Sequence, residues 1–130
     1  MERFLLICLG GAIGTGMRYL TVLVAVKWLG ADFPYGTLIV NLVGSFVIGL
    51  VQQVSVDTVL VPEDARLFLT TGMMGGLTTY SAFSYETVHL TQAGAWPQAS
   101  INVILTTAAS LALCVSGIAV ARAMVGARGW

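Results

Sequence analysis

The side chains able to act on a small ion are few, and all of them lie inside apolar runs. Tyr80, Phe83 and Ser84 stand at i, i+3 and i+4, with Ser81 beside them, so they share one face of a helix. An aromatic ring has a positive edge and a negative face; edges aimed into a cavity would meet a small anion without a formal charge. The same spacing also suits packing. Asn41 is the one amide side chain between Pro34 and Val51, and a primary amide is costly in hydrocarbon unless bonded. It can serve another helix or face a water-filled path. Thr37, one turn earlier, extends that polar surface. Asn102, Thr106 and Ser110 recur every four residues and make one polar stripe. Together with the Ser81 and Ser84 hydroxyls, the two stripes suit a narrow hydrated track or hydrogen bonding between helices.

One basic residue lies well inside an apolar run. Arg18 precedes Trp28 by ten positions, roughly 15 Å along a helix, and intramembrane charges face a cavity or a partner. Glu86 is the candidate partner, unless it pairs with His89 near the end of its own segment. Arg18 then acts as an ion pair or helix anchor, or draws anions. The run Thr70 to Glu86 contains Gly75-Gly76 followed by Leu77 and Thr78-Thr79. Two glycines and a β-branched pair support a continuous helix poorly, so a break is expected at 75–79. Carbonyls and amides freed there must be buried in protein or coordinate something. The carbonyl end of a half-helix suits a cation, and the amide end an anion.

The elements that carry these residues follow from composition. Of 130 residues, 57% are apolar and 9% charged, with six basic and six acidic side chains, whereas a soluble domain carries about 25% charged residues. That excludes a soluble enzyme, and the lack of a basic stretch argues against nucleic acid as a partner. Pro34, Pro62 and Pro97 each fall between apolar stretches at turn-like positions. They delimit four spans, roughly 4–28, 36–55, 66–90 and 98–125, each near the length of about 20 residues that crosses a bilayer. The fold expected is a single all-α membrane domain. The first run carries on past Arg18 without an Ala-x-Ala cleavage site, so it reads as a retained span. Cys8 and Cys114 have no partner spacing and read as packing residues. Arg3, Arg66, Arg122 and Arg128 fall on one side of this layout and Lys27 on the other, a modest bias toward cytoplasmic termini. So weak a bias permits insertion in both orientations, and hence an antiparallel dimer.

Three stretches taken together, GGAIGTGMRY, GTLIVNLVGSFVIG and GMMGGLTTYSAFS, closely resemble the Fluc, or CrcB, family of fluoride channels. The resemblance extends over nearly the whole chain and keeps the motif order. It implies an antiparallel dual-topology homodimer in the prokaryotic plasma membrane, with two pores that passively export fluoride. By this resemblance Asn41 and Phe83 line the pore, and Tyr80 stands where the family has its first pore phenylalanine. Thr37, Ser81, Ser84, Thr106 and Ser110 look like the polar track, with Asn102 at one end of it. Arg18 matches an arginine near the aqueous vestibule. The Gly75 and Thr78 backbone carbonyls match those that hold a structural sodium ion at the dimer interface.

Two departures stand out. Tyr80 adds a hydroxyl to the expected aromatic ring, and Ala82 replaces a usual threonine or serine. Asn102 also stands where a larger polar or aromatic side chain is common. Two other functions fit four short spans: a proton-coupled antiporter resembling the small multidrug transporters, and an assembly subunit that transports nothing. The former places a glutamate in its first span, where this chain has Arg18.

Overall fold

The computed structural model describes residues 1–126, so Arg128 lies outside the described residues. Among those residues there are helices and short connections and no strand. Helix α1 (Glu2–Leu29) ends at Gly30, whose N–H still bonds the Val26 carbonyl and whose φ of 89° turns the chain out of the helix. Pro34 introduces α2 (Tyr35–Asp57), since its fixed φ and missing N–H cost nothing at a helix start. Pro62 likewise introduces α3 (Glu63–Leu67), whose first turn carries Glu63 and Asp64, the charge that a helix N-terminus favours. A π-helical stretch, Phe68–Met74, and the short α4 (Gly75–Leu77) continue it. Thr78 and Thr79 are extended, with ψ of 155° and 117°. Then α5 (Tyr80–Gln92) and, after a turn at Gly94, α6 (Trp96–Val125) complete the chain.

Helices α1, α2 and α6 are each long and apolar enough to cross a membrane, and they overlap the first, second and fourth expected spans. Large apolar side chains point outward along them, Phe4, Ile104 and Leu111 among these, as a lipid-facing surface requires. The buried apolar cluster is correspondingly small and centres on Val40, Met74 and Leu77.

Close backbone approach supplies the packing that a large core would otherwise give. Helices α2 and α6 meet where Gly49 abuts the Cys114 carbonyl and Gly117 abuts the Phe46 carbonyl; a methyl group at either glycine would overlap that oxygen. Helix α1 presses on the π-helical stretch and α4 in the same way, through Gly14 against the Met73 carbonyl and Gly76 against the Gly11 carbonyl. At the end holding the first residues, Arg3 bridges to Glu63 at 3.1 Å and Asp64 at 2.9 Å, joining α1 to α3.

Candidate ion pathway

The two extended residues between α4 and α5 would leave bare backbone groups in an apolar interior, and Asn41 of α2 meets both the N–H and the carbonyl of Thr79. The Thr79 N–H donates to Asn41 Oδ1 at 2.9 Å, and Asn41 Nδ2 donates to the Thr79 carbonyl at 3.2 Å. Thr79 also caps α5, its Oγ1 accepting from the Ala82 N–H at 3.2 Å, the role a threonine fills at a helix start.

These bonds have a consequence for the carbonyls around the break. In an unbroken helix the Gly75 carbonyl would accept from the Thr79 N–H, and the Thr78 carbonyl from the Ala82 N–H. Both donors go elsewhere, so both oxygens lose their helical amide. Gly75 is exposed on the surface of the chain. Carbonyl oxygens without their helical amide are hard donors of the kind that could hold a hard cation. Arg18 reaches the same place from α1. Its Nε donates to the Gly76 carbonyl at 3.0 Å, so the expected pairing with Glu86 gives way to a bond across the break. Glu86 Oε1 instead accepts from Thr37 Oγ1 at 2.8 Å, not from His89, whose ring stacks on Tyr85.

A groove of about 660 Å³ runs over α2, the π-helical stretch, the break, α5 and α6. It gathers Asn41, Tyr80 and Phe83 with Thr106 and Ser110, and reaches Gly75 and Thr78. The Tyr80 and Phe83 ring centroids lie 5.5 Å apart, with the rings tilted by 58°. Phe83 is buried and Tyr80 is 80% exposed, so the two rings of the predicted shared face have opposite environments. Ser110 lines the groove, and its hydroxyl is buried without a hydrogen-bond partner among the described residues.

Other expected residues stand apart from this groove. Thr37 belongs to a smaller cavity of about 210 Å³ with Glu86, His89 and Asp32. Ser81 is exposed near Thr79, and the Ser84 hydroxyl turns back to the Tyr80 carbonyl of its own helix at 2.9 Å. Asn102 is 1% exposed and faces α5, where its Nδ2 donates to Thr87 Oγ1 at 2.9 Å.

Some contributors were not singled out from the sequence. Thr79 reads in the sequence as part of a β-branched pair, although a threonine just before an aromatic-rich helical segment is also a capping signal. Gln52, Thr70 and Thr71 also line the groove; the π-helical turn that presents the threonines has no simple periodic signature.

Comparison with known proteins places these features in a family. A family model described as CrcB-like protein, Camphor Resistance (CrcB), matches residues 5–118. A protein of Anaeromyxobacter dehalogenans named fluoride-specific ion channel FluC is 44% identical over 97% of this chain and 100% of its own length. Proteins of the same name from Clostridium perfringens and Geobacter metallireducens are 45% and 44% identical, over 91% and 94% of this chain and 92% and 98% of theirs. With its interrupted third segment held by Asn41, and with matches that run nearly end to end, the chain belongs to the CrcB family.

Proposed function

We propose that the protein is a fluoride channel that lets cytoplasmic fluoride leave the cell passively across the prokaryotic plasma membrane. The observation that carries this reading is the single groove that gathers Asn41, Tyr80, Phe83, Thr106 and Ser110 in a chain 44% identical to a relative named for fluoride. A primary amide has two N–H donors. Asn41 gives one to Thr79 and keeps the other for an ion in the groove. The Ser110 hydroxyl and the aromatic edges of Phe83 and Tyr80 add further positive ends, and none of these groups carries a charge. A neutral lining holds an anion loosely enough to release it, as conduction requires.

In this reading residues 63–92 form the remaining membrane crossing, interrupted at Thr78 and Thr79. The groove is open on one side, and a second copy in antiparallel orientation closes it, giving a homodimer with two pores. Ser81 and Ser84, which stand outside the groove of their own chain, belong to the lining that the second copy completes. The Gly75 and Thr78 carbonyls of both copies hold a sodium ion between them. Arg18 uses one N–H on Gly76 and offers the rest of its guanidinium to anions at the vestibule.

Purified protein reconstituted in liposomes tests the function. Fluoride efflux followed with an ion-selective electrode is expected, without matching chloride efflux. No fluoride flux, or chloride flux of equal size, overturns the proposal.

A further inference from the structure

A hydrogen-bonded chain behind the groove fixes which way the hydroxyl of Thr106 points. Phe83 offers only its backbone carbonyl to Thr87 Oγ1, 2.7 Å away, and a carbonyl can only accept, so the single Thr87 proton is committed there. Thr87 must therefore accept from Asn102, which presents Nδ2 to it at 2.9 Å. That choice turns Asn102 Oδ1 toward Thr106 Oγ1, 3.3 Å away. The oxygen again can only accept, so the Thr106 proton points at Asn102. Flipping the amide would set Oδ1 against a Thr87 oxygen whose proton is already spent, so that arrangement is excluded. Asn102 is 1% exposed and Thr106 8%, so the two side chains meet away from bulk solvent.

We propose that Asn102 is a positioning residue that withdraws the Thr106 proton from the groove, so that of the two stripe hydroxyls, Thr106 and Ser110, only Ser110 donates to the passing anion; Thr107 lines the groove as well but lies off that stripe. Thr106 turns lone pairs toward the groove, and lone pairs repel an anion. Ser110, one turn along, also lines the groove, and its buried hydroxyl has no partner among the described residues. The anion meets the two hydroxyls of one stripe differently because only one of them has a neighbour behind it. This inference rests on the anion-path reading for its transport consequence and on the hydrogen-bond chain alone for its geometry.

Two measurements separate these. In liposomes, Ser110→Ala is expected to slow fluoride by at least about tenfold more than Thr106→Val, the size of one hydrogen bond to a charged group. Replacing Asn102 with Leu frees the Thr106 proton for the groove, so adding Thr106→Val to Asn102→Leu should cost roughly fivefold more than it costs in the parent. Should Asn102→Leu fail to fold, the contrast between the two single variants decides. Equal losses in Ser110→Ala and Thr106→Val, or a larger loss in Thr106→Val, overturn the proposal. Independently of transport, nuclear Overhauser contacts of the Asn102 Hδ2 protons should reach the Thr87 methyl group. Contacts to the Thr106 methyl group instead would reverse the chain and overturn it. A parent protein that passes no fluoride while showing the Thr87 contact would overturn the channel reading and leave the geometry standing.

Discussion

Asn41 gives both ends of its amide to one residue, Thr79, and so serves the two successive peptide groups that flank it. Asn41→Ala strips partners from an N–H and a carbonyl together, at about 1–3 kcal/mol for each group left without a partner. The expected outcome is faster amide exchange at Thr79 and loss of fluoride efflux from liposomes; unchanged exchange at Thr79 would refute the support role. At this scale the sequence was half legible. The cost of an amide in hydrocarbon marked Asn41 as bonded to something, but its partner depends on how α2 lies against the break, which spacing does not encode. Arg18 is the same case: its burial in an apolar run demanded an acceptor, and the acceptor is the Gly76 carbonyl in place of the carboxylate that charge alone suggested. Asn102 shares a stripe with Thr106 and Ser110, yet the stripe turns enough for Asn102 to face α5 while the others face the groove.

Helices in this protein meet through glycines, and each glycine can be judged by what a methyl group would touch. At Gly117 it would overlap the Phe46 carbonyl, whereas at Gly16 nothing lies within 4 Å. Gly117→Ala should therefore destabilise, by the roughly 1–3 kcal/mol of overpacking. Gly16→Ala should stabilise by about 1 kcal/mol through helix propensity. Unfolding midpoints of both variants in detergent check this, and the same sign for both would refute the packing account. The small-residue pattern marked helix contact in the sequence, and the prolines and glycines marked where helices end, because both are local effects. The π-helical stretch Phe68–Met74 was not legible. It arises where the segment must carry Gly72 and Gly76 against α1 and still present Thr70 and Thr71 to the groove, a compromise between two neighbours.

For the whole molecule, we propose that a second copy closes the open groove and that the Gly75 and Thr78 carbonyls hold a cation between the two copies. Exchanging sodium for a bulky organic cation should convert the dimer to monomers, or weaken it by at least about tenfold, the effect of one lost ion contact worth about 1.4 kcal/mol. Crosslinking yield against sodium concentration measures this, and a dimer indifferent to sodium would remove the ion from the interface.

The pairing of Asn41 with the Thr79 backbone also bears on how the protein is made. During synthesis α2 leaves the ribosome first, and the segment holding Thr78 and Thr79 follows with two peptide groups that lipid alone cannot accept. If residues 63–92 cross the bilayer as proposed, that segment enters beside an α2 already in place, and α2 serves as the receptor for its own successor. A substitution at position 41 then acts twice, once on the finished pathway and once on the order in which the chain enters the bilayer.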